Sequence, residues 1–169
     1  LITKYLIDRN HNEIAFINIE ENYNFALQRK QGYLKCLREN NIKFNKNYYV
    51  TVKNEEPEQS ASIIKKMLKK NSKVTALICS TEYSGVGAIK ACNQLKKKIG
   101  KDISIITFDG PVVQSLTTPA LTAITHPRKK LGLKAIEILM NMDNDNRNRN
   151  YLVNPEIIER GSVCKLKKN

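Results

Sequence analysis

Asp109 is the residue whose type and place most invite chemistry. It closes the apolar, β-branched run "SIITF" (104–108) and opens the proline-bearing stretch "DGPVVQSL". A carboxylate at the end of a buried strand is rigidly mounted and can accept hydrogen bonds from two vicinal hydroxyls of a ligand. The same acid can equally do no more than cap the following turn. A phospho-accepting aspartate is a further chemistry, and it needs partner carboxylates at earlier strand ends to hold a cation. Glu20 and Glu21 follow the first apolar run and Glu82 the third, but no second feature supports that use. Arg29, in "NFALQRKQGY", carries a planar fork suited to bidentate contact with hydroxyls or carboxylates. Its alternative is a solvated helix arginine. His126 stands between an apolar run and Pro127, a place for a hydrogen-bonded structural histidine or for a ligand contact at a hinge. His11, beside Asn12, reads as a turn or helix-end residue.

Other catalytic signatures are missing. The chain contains no GxSxG elbow, P-loop, GxGxxG or HExxH, and no nucleophile, base and orienting group can be assembled from neighbouring residues. In "SGVGAIKA", Gly85 and Gly87 fall inside a helical pattern and suit close helix packing rather than phosphate approach. Cys36, Cys79, Cys92 and Cys164 are scattered, with no CxxC pair and no histidine at zinc-ligand spacing, so they read as free thiols in a reducing compartment. No metal and no cofactor is implied, and the expectation is a binding domain that does no chemistry.

The elements that must position these residues alternate. Strands are expected at 13–18, 48–52, 74–79 and 104–108, with helices from the "NFALQRKQGYLKCLREN" segment, from Pro57 to Lys69, and through "EYSGVGAIKACNQLKKK", the last closed by Gly100 as C-cap. Parallel strands joined by helices make a doubly wound sheet, in which ligands collect outside the carboxyl ends of the strands. "LTAIT" adds a strand that runs into His126 and Pro127, followed by the helix "RKKLGLKAIEILMNM" and one or two strands around Pro155. "LITKYLIDRN" reads as a helix with Ile2, Tyr5 and Leu6 on one side. At 169 residues the chain allows one ordinary domain or two small lobes. It contains no run of about 18 apolar residues and no signal-peptide pattern at its start, Leu1, which is not methionine.

The net charge of +13 sits largely in "IIKKMLKK", "QLKKKIGK" and "CKLKKN". Such an excess can bind a polyanion by counterion release. The first two runs also match the solvated sides of amphipathic helices, no aromatic residues interleave with them as stacking platforms, and asparagine-rich text such as "NMDNDNRNRN" marks a general Lys/Asn bias.

Six segments in order, "YLIDRNHNEIAFI", "RKQGYLKCL", "VTALICSTEYSGVGAIKA", "DISIITFDG", "TTPALTAITHPRKKLGLKAIEIL" and "NPEIIERGSV", resemble the effector-binding core of LacI/GalR-type bacterial transcription regulators, itself similar to periplasmic sugar-binding proteins. The match looks closest to the arabinose operon repressor branch, on "THP" and the tail after "ERGSV". The resemblance implies an α/β fold, a doubly wound parallel sheet of the periplasmic-binding-protein-like (type I) kind, with one complete lobe and parts of a second. It places residues 12–124 in the C-terminal lobe, 1–11 and 125–164 with the N-terminal lobe, and 165–169 in a basic tail. It implies ligand contacts at Arg29, three positions before Gly32, at Phe108 and Asp109, and at His126 before the crossover proline. Where the family has Asn-Asp after the third strand this chain has Thr81 and Glu82, so Thr81 is the corresponding contact, and "TVKNEEPEQ" lacks the aromatic residue many members place after the second strand.

The function implied is a cytoplasmic, ligand-sensing domain of a sugar-responsive repressor. Its effector would bind in an interlobe cleft and control operator DNA binding by an N-terminal domain outside this chain. The partners implied are that small molecule, the operator, and a second copy paired through 83–97 and 111–117, where Val112, Val113 and Leu116 would otherwise be an apolar patch. A solute-binding protein of the transport type, on the same fold, is the alternative.

Overall fold

Five apolar residues and Asn18, together Ile14–Ile19, form strand β1, and every one of them is buried. A strand with no exposed face belongs in the middle of a parallel sheet covered on both sides, and β1 lies there. The computed structural model describes residues 1–52, 56–109, 117–140 and 151–167. Among these, β1, β2 (Tyr49–Val52), β3 (Ala76–Cys79), β4 (Ser104–Phe108), β5 (Thr122–Thr125) and β6 (Glu156–Ile158) form a sheet in the order β2-β1-β3-β4-β5-β6. The first five are parallel and β6 runs antiparallel to β5, with Ala123 opposite Ile158.

Side chains alternate across the sheet as period two requires. Ala15, Ile17, Leu77, Cys79 and Ile105 meet α3 (Pro57–Lys70) and α4 (Glu82–Gln94) on one face. Ile14, Phe16, Ile78 and Ile106 meet α1 (Ile2–Ile7) and α2 (Asn24–Glu39) on the other. In α3 the buried residues Ser60, Ala61, Ile64, Met67 and Leu68 trace one stripe. The α3–α4 crossing is close because Gly87 has no side chain: a Cβ there would stand 2.8 Å from the Pro57 carbonyl oxygen. Gly85 and Gly87 therefore serve packing, as their helical setting indicated.

The end of α4 differs from expectation. The helix stops at Gln94, and Lys96, at φ 55°, takes the left-handed position. The Lys97 N–H bonds to the Cys92 carbonyl at 3.0 Å and the Lys96 N–H to that of Asn93, which together form a Schellman stop. Gly100, at φ 75°, instead turns the chain into β4, its N–H bonded to the Ile103 carbonyl. The six-to-one bonds from Ile42 to Leu37 and from His11 to Leu6 end α2 and α1 in the same way, with Asn41 and Asn10 left-handed.

The chain ends pack on this same sheet. Ile2 and Leu6 of α1 are buried with Phe16 and Tyr33. The Ser162 hydroxyl donates to the Ile105 carbonyl at 2.6 Å and accepts from the Thr122 N–H at 2.8 Å, so it clamps β4 to β5. His11 is fully buried, with Nε2 at 3.0 Å from the Cys164 carbonyl and Nδ1 at 3.0 Å from the Thr75 hydroxyl. Residues 1–11 and 156–164, expected with a second lobe, thus pack on this sheet, and Leu166, expected in a basic tail, bonds back to Arg9. Helix α5 (Arg128–Met140) behaves otherwise. It buries no residue, and Leu133, Ile136, Leu139 and Met140 are exposed.

Candidate functional site

Helix α2 leaves the C-terminal end of β1 and carries Phe25 and Arg29 one turn apart on one face. The Arg29 guanidinium lies between two rings, 4.7 Å from the Phe25 centroid and 4.0 Å from that of Phe108, the last residue of β4. Its Nη1 donates to the Ser80 carbonyl at the end of β3, at 2.6 Å. Burial pushes its pKa down from the ordinary arginine value, and the Asp109 carboxylate opposes that shift. The group keeps its charge, because a guanidinium titrates far above neutral pH. Arg29 is therefore a fixed, partly desolvated cation stacked between aromatic faces, not a solvated helix arginine.

Asp109 follows Phe108 at φ 49°, a left-handed conformation that aspartate tolerates better than most residues. Its own N–H is bonded to the Ile124 carbonyl at 2.8 Å. The carboxylate accepts from the His126 backbone N–H at 3.4 Å, with His126 Nε2 at 3.5 Å and Arg128 Nη2 at 3.9 Å. It joins the end of β4 to the segment that leads into α5.

Arg29, Phe108, Asp109 and Thr81 line one hollow of about 240 Å³, together with Phe25 and Ser80. A second, of about 340 Å³, shares Phe25, Arg29 and Phe108 and reaches His126 and Ile2. Larger hollows lie elsewhere: one of about 640 Å³ at the opposite end of the sheet, beside Phe44 and Tyr48, and another of about 640 Å³ against the open face of α5.

All five residues singled out by the sequence thus converge on the carboxyl ends of the strands, although Thr81 has another engagement. Its Oγ1 accepts from the Ser84 N–H at 3.2 Å, while its own N–H donates to the Ser84 hydroxyl, a capping box that starts α4. Three residues of the site escape sequence reasoning. Phe25 has a signal in its four-residue spacing to Arg29. Arg128 comes near Asp109 only through the β5–α5 connection. Ser80 carries no motif, yet its hydroxyl, at the edge of the hollow, is buried without a hydrogen-bond partner among the described residues.

The arrangement carries groups suited to binding. It offers a carboxylate acceptor, guanidinium donors and ring faces, and no histidine lies within hydrogen-bond reach of the Ser80 or Thr81 hydroxyls among the described residues. No group of three His, Cys, Asp or Glu side chains that could hold a metal ion occurs among them either. Glu21, considered for that role, bonds Lys30 at 2.6 Å and Tyr49 at 2.9 Å.

Fold and site together define an open α/β ligand-binding lobe whose hollow lies at the carboxyl edge of a parallel sheet. The chain belongs to the periplasmic binding protein-like domain family, which matches residues 3–163, in the form carried by LacI/GalR-type regulators. It is 31% identical over 168 residues to the HTH-type transcriptional repressor PurR of Histophilus somni (strain 2336), covering 98% of this chain and 50% of the relative. It is 32% identical over 166 residues to the protein of the same name from Serratia proteamaculans (strain 568), covering 97% and 48%. The chain thus spans about half the length of these curated relatives. Among solved structures it resembles a sugar-binding transcriptional regulator of the LacI family from Escherichia coli complexed with phosphate, at TM-score 0.86 and 25% identity over 98% of this chain and 59% of that one. The Escherichia coli transcriptional repressor ascG has TM-score 0.86 and 26% identity over 96% and 59%. The relatives' names do not support the arabinose operon repressor branch.

Proposed function

We propose that this chain is the ligand-sensing part of a cytoplasmic, sugar-responsive bacterial transcription repressor. Arg29 and Asp109, with Phe108, form one half of the effector clamp. The observation that carries this reading is the fixed guanidinium of Arg29 and the carboxylate of Asp109 in one hollow of about 240 Å³ at the strand ends. A sugar presents vicinal hydroxyls to the carboxylate and C–H faces to the rings. His126 and Arg128, both within 4 Å of Asp109, carry the chain from the clamp into α5. The exposed apolar side of α5 fits a helix that packs within a second lobe built from sequence upstream, and that lobe would supply the other half of the clamp. Operator binding belongs to an N-terminal domain.

Pairing with a second copy through 83–97 is part of the proposal; most of the other surface expected for it, 111–117, lies outside the described residues. For effector to regulate DNA binding, it must bind the two quaternary states with different affinity. The names of the two curated relatives, HTH-type transcriptional repressors, favour this reading over a transport-type binding protein.

The test is a thermal-shift screen of a pentose, a hexose, a sugar phosphate and a purine on the full-length protein, wild type and Asp109→Ala. A ligand at a hundredfold excess over its Kd stabilises by about 2.7 kcal/mol, an upward shift of several degrees. The variant should stay folded but melt somewhat lower without ligand, since alanine tolerates the left-handed φ of 49° less well than aspartate, and it should lose the ligand-induced shift. A full shift in the variant rejects Asp109 as a ligand contact.

A further inference from the structure

Three lysine runs far apart in sequence come together at the amino ends of the strands, the end of the sheet away from the effector hollow. Lys69 and Lys70 lie in the last turn of α3, and Lys73 in the turn that leads to β3. Lys96, Lys98 and Lys101 lie between α4 and β4. The two helices pack side by side, and both run back from the carboxyl to the amino ends of parallel strands, so their last turns share one end of the fold. The tail reaches the same place: Cys164 Sγ lies 3.6 Å from the Lys101 carbonyl, and the Leu166 N–H bonds to the Arg9 carbonyl at 3.0 Å. That brings in Lys165 and Lys167. All eight of these lysines are exposed.

They are also unpaired. Lys4, Lys30, Lys35, Lys90 and Lys134 each have a carboxylate partner, whereas none of the rim lysines forms an ion pair among the described residues. The one carboxylate in the α4–β4 connection, Asp102, accepts from the Lys98 backbone N–H at 2.9 Å. Complementing the α3 dipole accounts for Lys69 and Lys70. It does not account for Lys73, Lys101, Lys165 or Lys167, which stand beyond the helix ends. A concentration of one sign of charge raises the local density of anions and is relieved when a polyanion replaces the small ones.

We propose that this lysine rim binds the phosphate backbone of duplex DNA, independently of sequence and of the effector site. Two features choose the partner. The rim segments 69–73, 96–101 and 165–167 contain no aromatic residue on which unpaired bases would stack, which disfavours single strands. Their apolar members, Ile99 and Leu166, are half-buried, which disfavours insertion of these segments into a lipid surface.

The experiment is a fluorescence-anisotropy titration of the 169-residue chain against a random-sequence duplex, repeated over a range of salt concentrations. Its comparison ligands are the same sequence as a single strand, vesicles containing phosphatidylglycerol, and polyglutamate as competitor. The expected result is salt-dependent duplex binding. Replacing Lys73, Lys98 and Lys101 together by glutamine should reduce the slope of log K against log salt by about 0.9 for each phosphate that is no longer neutralised. Replacing Lys4 and Lys35 by glutamine should leave it unchanged. No duplex binding at low salt, an equal reduction in both variants, or vesicles or polyglutamate matching the duplex would each overturn the proposal.

Discussion

Ser162→Ala probes whether the tail belongs to this lobe. The hydroxyl is fully buried, donates to the Ile105 carbonyl at 2.6 Å and accepts from the Thr122 N–H at 2.8 Å. Alanine nearly preserves the side-chain volume, so cavity formation contributes little. What remains is a buried backbone N–H without its partner, together with the missing bond to Ile105. Leaving a buried donor unsatisfied costs about 1–3 kcal/mol, and we expect about 2 kcal/mol here because both ends of the hydroxyl are used. For a chain of this size each kcal/mol lowers Tm by about 2–4 °C, giving a fall of about 4–8 °C. Circular dichroism melts of the wild type, Ser162→Ala and the exposed control Ser72→Ala measure it. If Ser162→Ala melts within a degree of the control, the tail does not clamp β4 to β5 in solution. The clamp matters beyond stability, because these two strands deliver Asp109 and His126.

Two further predictions concern buried titratable groups. Burial lowers the pKa of His11, its bond to the Cys164 carbonyl opposes that shift, and Arg9 adds to it. A base whose folded pKa lies below its unfolded value takes up more protons when unfolded. Stability from this site is therefore constant above the ordinary histidine pKa of 6.5 and falls as pH drops below it, by at most about 1.4 kcal/mol per pH unit. Melts of wild type and His11→Gln between pH 7.5 and 5, about one unit above and more than one below that value, should show a steeper acid slope in the wild type; parallel slopes refute it. Burial also raises the Cys79 thiol well above the usual range and Cys92 to about 12, and raises Cys36, while Cys164 is the half-exposed one. Thiol titration of the native chain at pH 8 should modify Cys164 quickly and the other three only on unfolding, because the thiolate is the reactive form.

Much of the fold was legible because its signals are local. The apolar runs at 14–19, 76–79 and 104–108 are too short and too β-branched for helices, and the stripe in α3 has helical period whatever surrounds it. Asp109 and Arg29 could be named because a strand end and a nearby helix face are sequence positions. Less legible was the end of α4, where Gly100 looked like the stop. Lys96 takes the left-handed position instead, since the helix register places it at the right distance from Asn93 and Cys92.

The sequence by itself determined the alternation of elements, the family, and that Arg29, Thr81, Phe108, Asp109 and His126 stand at the carboxyl ends of the strands. Tertiary structure alone decided which pieces share a core. Ser162 lies 57 residues from Ile105, and His11 lies 153 from Cys164, separations over which no periodic pattern carries information. It also decided that Arg29 stacks between Phe25 and Phe108 and that three lysine runs share one rim. Those arrangements follow from how parallel crossovers stack helix ends and strand ends, which is a property of the folded topology and not of any segment's composition.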